Sequence, residues 1–389
     1  MSKIVLNSEL LNKVFEGKEI TNTDAYQIYQ ESENNPFEIY KASQILRNKN
    51  KRRIVTYSRK VFFNLINLCR DTCSYCTYKS EPGESKTSMM SKQDISSLAS
   101  VGSKHRCTEA LFVTGERPEQ KYDEARLWLK ENGFTSTAEY LVHASEIALN
   151  AGLFPHTNAG NLTKSEMSQL KKTNPSLGVM LENSSERLGE KDMPHEFAPS
   201  KNPRARIHVL ENAGELSIPM TTGLLIGIGE SPFEIIDSIF AIKSIHQKYG
   251  HIQEIILQNF QPKQDTAMRD VSGPEERYFK TMVALTRLIM PEMNIQIPPN
   301  LSPNSYPDFL QTGINDWGGI SPITPDYVNP EFSWPSIDTV QKNCKTAGFE
   351  LRARFPVYPE FFHMVDSGLR SKMLEIADSD RLVSMEYLK

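Results

Sequence analysis

Residues 61–78 read VFFNLINLCRDTCSYCTY. An apolar run with β-branched and aromatic residues passes into a loop that carries Cys69, Cys73 and Cys76, three of the five cysteines of the chain, within eight positions. The first half predicts a buried strand, Val61 to Asn67, and the second places three soft ligands just after its C-terminal end. Thiolates so grouped select zinc or an iron-sulfur cluster. A structural zinc site asks for four protein ligands, usually in two separated pairs, and neither Cys107 nor Cys344 forms a second pair, so both are assigned to packing. An electron-carrying [4Fe-4S] cluster also asks for four cysteines. Three leave one iron open, as a catalytic cluster requires.

Outward from this loop the chain alternates short apolar runs with amphipathic stretches, the pattern of βα units around a parallel sheet. Further strands are predicted at Glu109 to Gly115, Leu153 to Asn158, Ser176 to Asn183, Thr221 to Gly229, Ile252 to Phe260, Ile295 to Asn300 and Gly313 to Ile320. Most run from an apolar body to a polar, Gly-rich or Pro-rich end, as strands do when they open on one shared face. The expected fold is α/β, a (βα)8-type TIM barrel over residues 56–389 with a closing segment near GFELRARFPVYPEFF. A polar, helical N-terminal extension is expected over residues 1–55. Between strands, DEARLWLKENG and SPFEIIDSIFAIKSIHQKYG read as helices with glycine at the stop.

Composition narrows the function classes. With 39% hydrophobic and 24% charged residues, the chain of 389 residues can bury a large core. A formal net charge of -4, with Lys and Arg scattered, lacks the basic stripe of a nucleic-acid binder, so no nucleic-acid partner is expected. The N-terminus has no sustained apolar segment, and no window approaches the ~18 apolar residues of a membrane span. A cytoplasmic protein without a membrane partner is expected, and an odd number of cysteines fits a reducing compartment.

The spacing C-x3-C-x-Φ-C, with Tyr75 as Φ, resembles the signature of radical S-adenosylmethionine (SAM) enzymes. That resemblance implies a [4Fe-4S] cluster held by Cys69, Cys73 and Cys76, with SAM bound at the open iron. It further implies a one-electron reductant and a 5'-deoxyadenosyl radical that abstracts hydrogen from a small-molecule substrate. The segments TYSRKVF, LCRDTCSYCTY, GERPE, TTGLLIGIGE, YGHIQEIILQNF, PPNLSP and GINDWGGISPITPDYVNPE are similar to the family of FO synthase subunit 1, which makes a deazaflavin in coenzyme F420 biosynthesis. Its substrate would be 5-amino-5-(4-hydroxybenzyl)-6-(D-ribitylimino)-5,6-dihydrouracil, supplied by FO synthase subunit 2, with release of ammonia. Departures at Ala159, Gln261 and Asp265 leave the cluster and SAM positions intact.

By the same resemblance, Tyr75 would pack against adenine, Gly115 and Glu116 would receive the methionine ammonium, Glu182 the ribose hydroxyls and Arg187 the methionine carboxylate. Asn158 would bind cofactor or substrate, and the backbone from Gly227 to Gly229 would lie against adenine. The string GLLIGIGE is not a dinucleotide fingerprint, because Pro232 stands where the third glycine belongs. Gln258, Asn259, Asn300 and Asn315 offer amides suited to a uracil edge, although a turn residue is the ordinary reading of each. Asp316 and Glu230 are the candidate catalytic carboxylates, and His156 is expected to be structural. Two alternatives remain: a radical SAM enzyme acting on another aromatic or futalosine-type substrate, and a non-enzymatic iron-sulfur or zinc module.

Overall fold

A computed structural model describes residues 8–389. The N-terminal helices are α1 (Glu9–Phe15), α2 (Asn22–Asn34) and α3 (Pro36–Lys51). Thr21 and Asp24 cap α2 reciprocally, and Pro36 fits the first turn of α3 because that position has no intrahelical N–H to lose. Then follow β1 (Ile54–Ile66), α4 (Lys92–Lys104), β2 (Glu109–Thr114), α5 (Asp123–Glu131), α6 (Thr137–Asn150), β3 (Phe154–Asn158), α7 (Lys164–Leu170) and β4 (Ser176–Gly178). The second half comprises α8 (Pro203–Glu215), β5 (Met220–Ile226), α9 (Pro232–Tyr249), β6 (Ile252–Asn259), α10 (Glu276–Ile289), β7 (Asn294–Gln296), β8 (Asp316–Ile320), α11 (Ile337–Thr346), β9 (Glu350–Arg354) and α12 (Ser367–Glu375).

Strands β1 to β8 are all parallel and close into a barrel in sequence order, β1 pairing with both β2 and β8. The first strand is longer than its apolar run suggested and starts at Ile54, inside the expected helical extension. Its upper half pairs with β2 from Lys60 to Ile66, while its lower half pairs with the added strand β9 from Ile54 to Ser58. β9 therefore fills the gap below β2. The chain then crosses beneath the barrel, where the carbonyl of Pro356 accepts hydrogen bonds from Ser176 Oγ of β4 and from Gln253 Nε2 of β6.

Helices form where the caps dictate. Ser91 with Asp94, Thr163 with Glu166 and Ser231 with Glu234 form reciprocal capping boxes at α4, α7 and α9, and Gly250 ends α9 in the left-handed conformation that favours glycine. The N-terminal helices share one hydrophobic core with the barrel, through residues such as Leu10, Ile28 and Ile39. Fully buried Arg47 of α3 donates to the carbonyl of Ile314 at 3.0 Å, tying that helix to the entry of β8. Among the described residues no helix is long and apolar enough to cross a membrane.

Candidate active site

The cysteine loop lies at the C-terminal mouth of the barrel, fixed by backbone hydrogen bonds from Arg70 N to Glu116 O at 2.8 Å, Thr72 N to Phe197 O at 2.8 Å and Ser74 N to Pro194 O at 3.0 Å. Gly115 closes β2 directly against it. A Cβ there would stand 2.0 Å from Leu68 O and 2.8 Å from Cys69 Cα, so only glycine lets the two segments touch. The next backbone amide, of Glu116, donates to Cys69 Sγ at 3.2 Å.

Cys69, Cys73 and Cys76 line one cavity together with Tyr75, Gly115, Glu116, Asn158, Glu182, Lys201 and Arg206. Burial pushes the Cys69 thiol up to about 11 and the Cys73 thiol up to about 12, Lys201 opposing the rise at Cys73. Among the described residues no three metal-binding side chains converge on a point that would hold a single ion. Three thiolates with no fourth protein ligand beside them among the described residues suit a cluster that leaves one iron open better than a closed structural zinc site, which asks for four.

The orphaned atoms of this cavity also fit a polar cofactor. Glu116 accepts from Asn161 N at 2.9 Å through Oε2, but its buried Oε1 has no hydrogen-bond partner, Arg117 and Arg70 standing 3.7 and 3.8 Å away. Glu182 pairs with Lys201 through Oε1, and its buried Oε2 is likewise unpartnered. Burial would raise the Glu182 carboxyl, but Lys201 and Arg206 outweigh it and hold the group below the ordinary carboxylate range. Tyr75 bonds His195 Nε2 at 2.9 Å, and burial carries that imidazole down to about 3, leaving it neutral.

A second cavity continues from the first into the barrel. Val113, Asn158, Met180, Gln258, Val328 and Asn329 line both. Its walls include Phe62, Leu111, Ile256, Trp317 and Trp334, and its polar lining includes Lys60, Glu109, His156, Glu254, Gln296 and Arg354.

Several expected site residues lie elsewhere. Asp316 stands at the start of β8, not its end; Arg354 engages both its oxygens, at 2.7 and 3.0 Å, and its side chain is fully buried. It positions Arg354 and does not face the cysteine cavity. The Glu230 carboxyl accepts from the backbone N–H groups of Gly227 and Ile228 at 2.7 and 2.8 Å, which makes it the clasp of a turn. Neither Gly227 nor Gly229 lines the cavity; a Cβ at Gly227 would meet Pro274 Cδ at 2.5 Å, so proline occupies the face expected for adenine. Arg187 forks onto Glu234 at 2.9 and 2.6 Å and donates to Gly229 O, outside the cavity. Asn300 holds Asp326 at 3.0 Å, and Asn315 braces Arg287 at 2.9 Å at the entry of β8, so both serve the framework.

Sequence reasoning did not single out Lys60, Lys201, Arg206 and His195. Lys60 carried a readable signal, because Lys60 and Phe62 alternate on one face of β1, so a charge on that face had to point into the barrel. Lys201 and Arg206 sit in SKNPRAR, whose local pattern announces a helix start and nothing about a cavity.

A family model described as the Radical SAM superfamily matches residues 63–242. The crystal structure of HydG, a maturase of the [FeFe]-hydrogenase, superposes with a TM-score of 0.73 at 15% identity, covering 89% of this chain and 75% of that one. The barrel with three cysteines after its first strand is that of a radical SAM enzyme. The 7,8-didemethyl-8-hydroxy-5-deazariboflavin synthase of Methanopyrus kandleri is 45% identical over 309 residues, 79% of this chain and 92% of that protein. The FO synthase of Nocardia farcinica is 43% identical over 315 residues, 79% of this chain but 36% of that protein. The chain belongs to the 7,8-didemethyl-8-hydroxy-5-deazariboflavin synthase family.

Proposed function

We propose that this enzyme converts 5-amino-5-(4-hydroxybenzyl)-6-(D-ribitylimino)-5,6-dihydrouracil to FO, releasing ammonia, methionine and 5'-deoxyadenosine, within coenzyme F420 biosynthesis. One structural observation carries the reading: the cavity with the three cysteines runs directly into a secluded chamber inside the barrel. When bound, the [4Fe-4S] cluster and SAM supply hydrogen-atom abstraction through one-electron cleavage of the sulfonium. Cys69, Cys73 and Cys76 would each hold one iron. The Oε1 of Glu116, which has no hydrogen-bond partner among the described residues, would receive the methionine ammonium, and the Oε2 of Glu182, which also has none, a ribose hydroxyl. Tyr75, beside the partly apolar wall of Leu225 and Phe260, would pack against adenine.

The chain's own contribution is placement and exclusion. Apolar walls of Leu111, Val113, Ile256 and Met180 keep water from the reacting carbons, and Asn158 and Gln258 stand at the junction, where cofactor and substrate would meet. Arg206 lines the cofactor cavity where Arg187 was expected, its Nε and Nη1 fixed on Ser200 O and Met180 O at 3.0 and 2.7 Å. The longer N. farcinica protein supports a division of labour in which a separate second subunit supplies the adduct. A one-electron reductant and a reducing, cytoplasmic setting complete the reading.

The test is anaerobic. The protein is reconstituted with iron and sulfide, then given dithionite, SAM and the adduct. Appearance of 5'-deoxyadenosine together with deazaflavin fluorescence is expected; deoxyadenosine without fluorescence would move the substrate elsewhere.

A further inference from the structure

Two side chains in the barrel chamber each present one atom that no protein group satisfies. Lys60 is 7% exposed, its side chain makes no hydrogen bond or ion pair among the described residues, and its ammonium lies 4.5 Å from the centre of the Trp334 ring. His156 is also 7% exposed, and its tautomer can be deduced. Ser176 Oγ lies 2.7 Å from His156 Nδ1 and also contacts Pro356 O. A carbonyl can only accept and a hydroxyl has one hydrogen, so Ser176 donates to Pro356 and must accept from His156 Nδ1–H. The groups facing the ring are Glu109 from β2, Lys60 from β1 and Arg354 from β9; burial dominates and carries the imidazole down to about 4, with Glu109 opposing the fall and the two cations adding to it. At neutral pH the ring is uncharged, with a bare Nε2. Glycine two residues beyond Ser176 on β4 makes room for it, since a Cβ at Gly178 would stand 2.9 Å from Nε2.

We propose that His156 Nε2 accepts a hydrogen bond from an N–H or O–H of the pyrimidine-ribityl end of the substrate while Lys60 donates to a carbonyl oxygen of that same end, so that the pair sets which substrate is held below the cofactor. Ser176 is the positioning residue that fixes the tautomer. This rests on the function proposed above. It assigns the polar floor of the barrel to the pyrimidine-ribityl end and leaves the apolar walls higher up to the hydroxybenzyl ring.

The test uses the oxidised, cluster-loaded protein labelled with 15N-histidine. Long-range 15N–1H correlation, with His156 assigned by its loss in His156→Gln, is expected to show an unprotonated Nε2 at neutral pH whose signal moves when the adduct is added. A protonated Nε2, or a signal unmoved while the adduct binds, would overturn the proposal. Removing one neutral hydrogen bond corresponds to roughly tenfold in affinity. Adduct affinity should therefore fall about tenfold in His156→Phe and roughly ten- to a hundredfold in Lys60→Met, whose bond is charge-assisted, and His156→Gln, which restores an acceptor, should recover most of the His156→Phe loss. Ser176→Ala should release the tautomer and weaken adduct binding while SAM affinity stays the same; it also decides the matter if His156→Phe does not fold. Wild-type enzyme that forms deazaflavin beside a His156→Phe variant with unchanged adduct affinity would sink this inference alone. Wild-type enzyme that forms deoxyadenosine but no deazaflavin would remove both readings.

Discussion

Asp316 and Arg354 meet through two hydrogen bonds, 2.7 Å from Nε and 3.0 Å from Nη2, with both side chains almost wholly buried. The pair joins the start of β8 to the end of β9 and turns the guanidinium toward Glu254, 2.9 Å away in the chamber lining. Removing one partner of a buried ion pair typically costs about 3–5 kcal/mol, and Glu254, which still faces Arg354, should keep the loss here toward the lower end. Asp316→Asn should therefore lower the unfolding free energy extrapolated from denaturant titration by an amount of that order. An Asp316→Asn protein as stable as wild type would show that the pair contributes no net stability.

Glu116→Gln addresses the cofactor directly. Its unpartnered Oε1 sits beside the cysteine loop, and a hydrogen bond to a charged group contributes about 1.5–3 kcal/mol. SAM affinity should drop by roughly ten- to a hundredfold while iron content and cluster absorbance remain those of wild type. Unchanged SAM binding would remove Glu116 from the ammonium site. Simultaneous loss of iron would point instead to its backbone contact with Cys69.

How much of this was legible in the sequence varies with the physics involved. All eight barrel strands announced themselves because buried parallel strands read as continuous apolar runs, and the cysteine loop because three thiolates rarely crowd by chance. The lower half of β1 was missed, since TYSRK is polar and lies outside the apolar run that marks the strand. Asp316 and Asn315 were misread for a related reason. The apolar run GINDWGGI was taken as one strand, yet pairing begins only at Asp316, which puts both residues at the wrong end of the barrel for chemistry. Arg187 reads in sequence as either a carboxylate ligand or one half of a local Glu-Arg pair, because its actual partner Glu234 lies 47 positions away.

Gly115→Ala probes the contact between β2 and the cysteine loop. A methyl group 2.0 Å from Leu68 O and 2.8 Å from Cys69 Cα meets backbone on both sides, so the loop must shift. The variant should take up iron poorly on reconstitution and lose most SAM cleavage, while its circular dichroism stays that of a folded barrel. Full iron loading would show that the loop tolerates the displacement.

The Arg187–Glu234 fork gives a pH signature distinct from catalysis. Its hydrogen bonds to Arg187, outweighing burial and reinforced by Ser185 and Ser231, bring the Glu234 carboxyl down to about 2 from an ordinary 4.5. A depressed carboxyl contributes stability that is fully present above the unfolded value and lost as pH falls through the folded one. The stability of wild type should therefore decline between about pH 5 and pH 2 with a component that Glu234→Gln lacks. Parallel acid-unfolding curves for the two proteins, offset but equal in slope, would mean that the fork does not couple protonation to folding. Because Arg187 does not line the cofactor cavity, Arg187→Met should reproduce part of that loss of slope, Ser185 and Ser231 keeping the rest, while SAM affinity remains that of wild type.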